Sequence, residues 1–153
     1  MHLISASRRT DIPAYYSDWF IDKVNRGFCL VVNPFNAVVS KVMLKPDDVE
    51  GIMFWTRNFK PMLKHKDLLN DLGFAFCVQY TLIGYPEPFE CFVPSVDASC
   101  KTMLKISKIW GPRSLVWRYD PIALTSSTSR GGCGTQKTLK ECVSGFKAYQ
   151  THV

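Results

Sequence analysis

The sequence holds six cysteines (Cys29, Cys77, Cys91, Cys100, Cys133 and Cys142), but no two stand at CxxC spacing and no histidine lies at ligand distance from a cysteine pair. A zinc ribbon and a thioredoxin-like redox motif are therefore not expected. The three histidines, His2, His65 and His152, are scattered along the chain. They read as surface residues rather than as a metal centre or a catalytic base. No Gly-rich phosphate loop, nucleophile elbow or HExxH is present, which removes several nucleotide-hydrolysing, esterase-like and metalloprotease classes. No apolar run approaches the length that spans a bilayer, so no membrane partner is expected. The opening MHLISASRR puts its basic pair after the apolar residues, the reverse of a secretory signal, and a cytoplasmic location is expected. A disulfide framework is not expected in such a compartment; Cys29 and Cys77 lie in apolar runs and read as core thiols.

Acidic side chains are in the minority, 13 against 19 basic, for a net charge of +6. Residues 126–153 supply half of that excess, with Arg130, Lys137, Lys140 and Lys147 set against Glu141 alone. The excess left in the first 125 residues is mild and points only weakly to nucleic acid. With 153 residues, 46% of them apolar, the chain is long enough for one domain with a real core.

Apolar runs alternate with helical patterns. LISAS reads as a first strand running into the polar cluster SRRTD. Pro13 permits a helix start, Tyr16, Trp19, Phe20 and Val24 form the expected buried face, and Gly27 is the expected stop. FCLVVNPFN and AVVSKVML are two β-rich runs on either side of Asn33-Pro34, and read as an inserted hairpin with a plain turn at NPFN. VEGIMFWT is the second principal strand, PMLKHKDLLNDLG a helix, FAFCVQYTLIG the third strand and SLVWRYDPIAL the fourth. Residues 95–110 read as a helix with Cys100, Met103, Leu104 and Ile106 in register, stopped by Gly111-Pro112. The order predicts an α/β protein: a partial (β/α) TIM-like barrel with parallel strands plus an inserted β-hairpin, with a doubly wound sheet as the rival. A loop is expected at Gly84–Pro88. After residue 125 the composition turns polar and Gly-rich, and a flexible tail with a short helix within 136–150 is expected.

In parallel α/β folds ligands sit at the carboxyl ends of the strands. The first exit offers Ser5, Ser7, Arg8, Arg9, Thr10 and Asp11, the second Thr56, Arg57 and Asn58, the third Gln79, Tyr80 and Thr81, and the fourth Arg118, Tyr119 and Asp120. Three exits carry arginine, and guanidinium groups gather where an anion or carboxylate partners hold them. The expected ligand-binding set is Arg8, Arg9, Thr10, Asp11, Thr56, Arg57, Gln79, Arg118 and Asp120. No residue stands out as a catalytic acid or base, and no metal ligand is expected.

ISASRRTDIPAYYSDWF, NPFN, FWTRN, QYTLIGY and WRYDPI, in that order, resemble the bacterial domain of unknown function 1848 over about residues 3–125. The resemblance implies a barrel similar to radical S-adenosylmethionine and spore photoproduct lyase-like proteins, in longer chains that carry a C-terminal CxxxCxxC for an iron–sulfur cluster. This chain has no CxxxCxxC, so no cofactor is expected in it and it reads as truncated, with a barrel domain at 1–125 and a divergent segment at 126–153. The resemblance places Arg8, Arg9, Asp11, Thr56, Arg118 and Asp120 in the pocket. The expected function is that of a fragment of a barrel enzyme binding an anionic small molecule or nucleic acid. The alternatives are a non-catalytic module that self-associates through exposed sheet edges, and an inactive truncated gene product.

Overall fold

The computed structural model describes residues 2–85 and 91–120. It is a mixed α/β protein. In chain order the elements are β1 (His2–Ser5), α1 (Ile12–Tyr15), α2 (Ser17–Arg26), β2 (Phe28–Val32), β3 (Val39–Met43), β4 (Val49–Thr56), a 3-10 turn (Met62–His65), α3 (Lys66–Asp71), β5 (Ala75–Thr81), α4 (Val96–Trp110), a second 3-10 turn (Pro112–Ser114) and β6 (Leu115–Arg118). Four strands form a parallel sheet in the order β1-β4-β5-β6, and β2 and β3 form a separate antiparallel hairpin. The hairpin is thus an excursion between two strands that are neighbours in the sheet. Residues 86–88 of the expected loop, the last four residues (121–124) of the expected fourth strand and the segment 126–153 lie outside the described residues. Among the described residues no helix is long and apolar enough to cross a membrane.

Two compact units divide within β5, Met1–Val78 and Gln79–Val153. In the first, VEGIMFWT forms β4 with Val49, Ile52 and Phe54 buried, as its near-continuous apolar run requires. Gly51 is buried in the same strand, and a β-carbon there would lie tightly, 3.1 Å from the Ala75 carbonyl oxygen and 3.4 Å from Leu3 Cδ2. Phe20, Phe59, Met62, Leu69 and Phe74 complete this core.

Helix α2 departs from the expected buried face. Tyr16 and Trp19 are 49% and 44% exposed, whereas Ser17, Phe20, Ile21 and Val24 are buried. The cause is a break at Tyr16 (φ −132°, ψ 28°), which ends α1 and restarts the helical wheel at Ser17. The buried stripe then runs i, i+3, i+4, i+7 from that residue. Trp19 falls off the stripe and lies beneath the Lys23 ammonium, 5.7 Å from its ring centroid. Gly27 ends α2 in the left-handed region (φ 78°), as expected, and its N–H reaches the Val24 carbonyl at 2.9 Å.

In the second unit Tyr80, Leu82, Ile83, Met103 and Ile106 are buried. The buried stripe of α4 is Ser99, Thr102, Met103, Ile106 and Ser107, while Cys100 and Leu104 are only half-buried. Two of these hydroxyls return to backbone carbonyls, Thr102 Oγ1 to Ala98 at 2.9 Å and Ser99 Oγ to Pro94 at 3.5 Å. Such local bonding lets small polar residues occupy a buried face that an apolar pattern search passes over.

Cys29 and Cys77 are half-buried free thiols. Burial pushes both thiols above their ordinary value, an effect the nearby Lys23 partly opposes at Cys29. A raised pKa leaves less thiolate at a given pH. On iodoacetamide treatment at pH 8, peptide mass spectrometry is therefore expected to show exposed Cys91 alkylated well ahead of Cys29 and Cys77. Equal rates at the three sites would contradict the burial of the two strand thiols.

Candidate functional site

Parallel pairing of β1 with β4, with Ile4 opposite Ile52 and Ser5 opposite Met53, brings the two strand exits side by side. The Ala6 N–H continues the ladder to the Met53 carbonyl at 2.9 Å. Asp11 then fastens the exits together. Its Oδ1 accepts from the Ala14 N–H at 3.0 Å, capping α1, and its Oδ2 accepts from the Arg57 N–H at 2.9 Å, just past the end of β4. Both carboxylate oxygens are therefore engaged by backbone donors of two segments far apart in sequence.

The β4 exit is shaped by its own side chains. Buried Thr56 accepts from the Asn58 N–H through Oγ1 at 2.9 Å, and Asn58 Oδ1 accepts from the Lys60 N–H at 3.1 Å. These two turns end the strand and start the following segment without further secondary structure. On the β1 side Arg8, Arg9 and Thr10 are exposed and Arg57 across from them is half-buried. Arg9 Nη1 donates to the Val32 carbonyl at 2.6 Å, tying this exit to the end of β2. Among the described residues Arg8 makes no hydrogen bond or ion pair. Ser7 is 9% exposed, and its Oγ is buried with no hydrogen-bond partner among the described residues. Such a hydroxyl carries a desolvation cost that a bound group or water would relieve. Three guanidinium groups thus stand at these exits with one carboxylate.

The hairpin tip is also built by hydrogen bonds. Asn33 N–H reaches the Val38 carbonyl and Ala37 N–H the Asn33 carbonyl, both at 2.9 Å. The Asn33 and Asn36 side chains accept from Phe35 N–H (2.9 Å) and Val38 N–H (3.1 Å). NPFN is therefore the turn that the sequence predicts, and Ala37 takes a left-handed φ of 55° within it.

The remaining residues of the expected set, Gln79, Arg118 and Asp120, belong to the second unit. Gln79 is half-buried on β5. Arg118 Nη2 pairs with Asp120 Oδ2 at 2.7 Å, with the two side chains 29% and 62% exposed. The backbone of Arg118 accepts from the Leu82 N–H at 3.1 Å, and Trp117 Nε1 donates to the Leu82 carbonyl at 3.0 Å. An exposed pair of this kind contributes at most about 1 kcal/mol.

Among the described residues no three His, Cys, Asp or Glu side chains gather where they would hold a metal ion. The described cysteines do not form the ligand set of an iron–sulfur cluster, and no chemistry through one is derived. His65 pairs instead with Asp18, Nε2 to Oδ1 at 2.7 Å.

The described residues thus form a mixed α/β protein whose parallel sheet carries arginines and a backbone-bound aspartate at two adjacent strand exits. The chain belongs to the family described as Domain of unknown function (DUF1848), whose model matches residues 3–149. The match continues past residue 125 into the segment that composition sets apart. No curated protein and no solved structure matches the chain.

Sequence reasoning finds the polar exits but not the double role of Asp11. A signal was present: an aspartate two residues before Pro13 has the spacing of a helix N-cap with proline in the first turn.

Proposed function

We propose that the β1/β4 exit of the first unit binds a small anionic ligand, with phosphate the favoured group, in a protein derived from a (β/α) barrel enzyme. The observation that carries this reading is the Asp11 bridge. By accepting from the Ala14 and Arg57 backbone donors, it holds both exits in one arrangement, with both carboxylate oxygens engaged. Arg8 is left with its donors uncommitted among the described residues, and a planar guanidinium recognises phosphate or carboxylate oxygens in a bidentate manner. The partnerless Ser7 hydroxyl supplies a further donor at the same exit. The barrel architecture rests on the alternation of strands and helices and on the strand-exit position of the arginines.

Calorimetry at low salt tests the reading. Inorganic phosphate should bind, and the affinity should fall as salt rises. Arg8→Ala should weaken binding about 10-fold or more, since a charge-assisted hydrogen bond contributes about 1.5–3 kcal/mol. The exposed position of Arg8 means that this variant should fold as the wild type does. No heat with phosphate at low salt, or equal binding by Arg8→Ala, would refute the assignment.

A further inference from the structure

The hairpin tip carries a feature that the anion site leaves unexplained. Phe35 is 96% exposed, on a loop fixed by four hydrogen bonds. A phenyl ring held in water gives the fold no burial energy, so the rigidity of the loop does not serve packing of that ring. Fixed exposed rings of this kind act as platforms for flat aromatic ligands, whose stacking loses little conformational entropy.

The tip is also tethered to the proposed anion site. Arg9 Nη1 grips the Val32 carbonyl at 2.6 Å, and Phe35 lies three residues further on, within about 11 Å along the chain at 3.8 Å per residue. Arg8 is the residue next to that grip. One hydrogen bond thus joins the segment that carries the uncommitted Arg8 to the hairpin tip that carries the exposed ring. A ligand that uses both needs a flat aromatic part joined by a short linker to an anion. A nucleotide has that form: a base, a sugar and a phosphate.

We infer that Phe35 is a base-stacking platform beside the β1/β4 exit, which therefore takes a nucleoside phosphate rather than a bare oxyanion or a carboxylate. The inference rests on the anion site proposed above. The shared chemistry belongs both to free nucleotides and to single-stranded nucleic acid.

The test is calorimetry at low salt with inorganic phosphate, with AMP and with an oligo(dT) about six nucleotides long, a length within the usual footprint of single-strand sites. The wild-type protein should bind AMP more tightly than phosphate. Phe35→Ala should weaken AMP binding about 5-fold or more, from a stacking contribution of about 1–3 kcal/mol per base, and leave phosphate binding unchanged. Phe35→Trp should retain AMP affinity. If wild type prefers the oligonucleotide to AMP, and Phe35→Ala removes that preference, the source is a single strand; equal affinities assign the free nucleotide. Phosphate binding with AMP affinity equal in wild type and Phe35→Ala would overturn the stacking role and leave the anion site standing. Absence of both phosphate and AMP binding would remove the anion site itself. Concentration-dependent dimerisation lost in Phe35→Ala, with AMP binding intact, would assign the ring to self-association and likewise overturn the inference.

Discussion

Replacing Phe54 by alanine should lower the unfolding free energy by about 3–5 kcal/mol, the range for deleting a buried aromatic ring. Phe54 is 0% exposed in the central part of β4. Its ring meets those of Phe20, Phe59 and Phe76 edge to face, with centroids 5.3, 5.9 and 6.1 Å away. Each such pair contributes about 0.5–1.5 kcal/mol beyond area burial, and the three partners come from α2, the segment after β4, and β5. The substitution therefore loosens several attachments at once rather than one. A domain of ordinary stability has about 5–15 kcal/mol in all, so the variant should lose a large part of its cooperativity reserve. Urea denaturation followed by circular dichroism measures the change. Phe35→Ala is the internal control, because its ring is exposed and surface changes usually stay within about 0.5 kcal/mol. A Phe54→Ala loss below about 1 kcal/mol would mean that the ring is not packed as described.

The second large effect is expected at Asp11. Asp11→Ala removes the cap of α1 and leaves the Arg57 N–H without its acceptor. Loss of a cap costs about 0.5–2 kcal/mol, and an orphaned, partly buried donor about 1–3 kcal/mol. Together these predict a loss of about 1.5–5 kcal/mol, drawn toward the lower end by partial hydration of the exit. Asp11→Asn should fall between wild type and alanine, because an amide presents one acceptor and one donor where the carboxylate presents two acceptors. The same series reports on ligand binding. If the bridge positions the β1 and β4 exits for an anion, phosphate affinity should fall in Asp11→Ala even at temperatures where the protein remains folded. Affinity that rises would show Asp11 acting only as a repelling charge.

The strands were legible in the sequence because their apolar runs were long and bounded by turn residues; VEGIMFWT reads as β4 from its first residue to its last. The hairpin was legible from Asn33-Pro34 between two β-rich runs. The helical faces were less so. A wheel drawn through Tyr16 assumes an unbroken helix, whereas the backbone breaks at that residue and the wheel restarts at Ser17. On α4 the buried face includes three hydroxyl residues, and two of them, Ser99 and Thr102, are accommodated by backbone carbonyls about one turn away. The candidate site divides along the same line. Which polar residues lie at or after each strand's end is a matter of order in the chain, so Arg8, Asp11, Thr56 and Arg57 are legible as exit residues. Which atoms they engage depends on parallel pairing of segments more than forty residues apart; the cap from Asp11 to Ala14 is local, but its second bond, to the Arg57 N–H, follows from that pairing.

The closed base of the hairpin has a kinetic consequence. Leu44 N–H meets the Gly27 carbonyl at 2.9 Å, so the chain leaves and returns at one point. Bringing Ser5 and Met53 together in an open coil means closing a long loop, and the entropic cost of that closure grows with loop length. Once residues 27–44 have zipped locally, the same encounter spans a much shorter effective contour. Early hairpin formation is then an entropic short cut to the one distant pairing on which the mouth of the sheet depends.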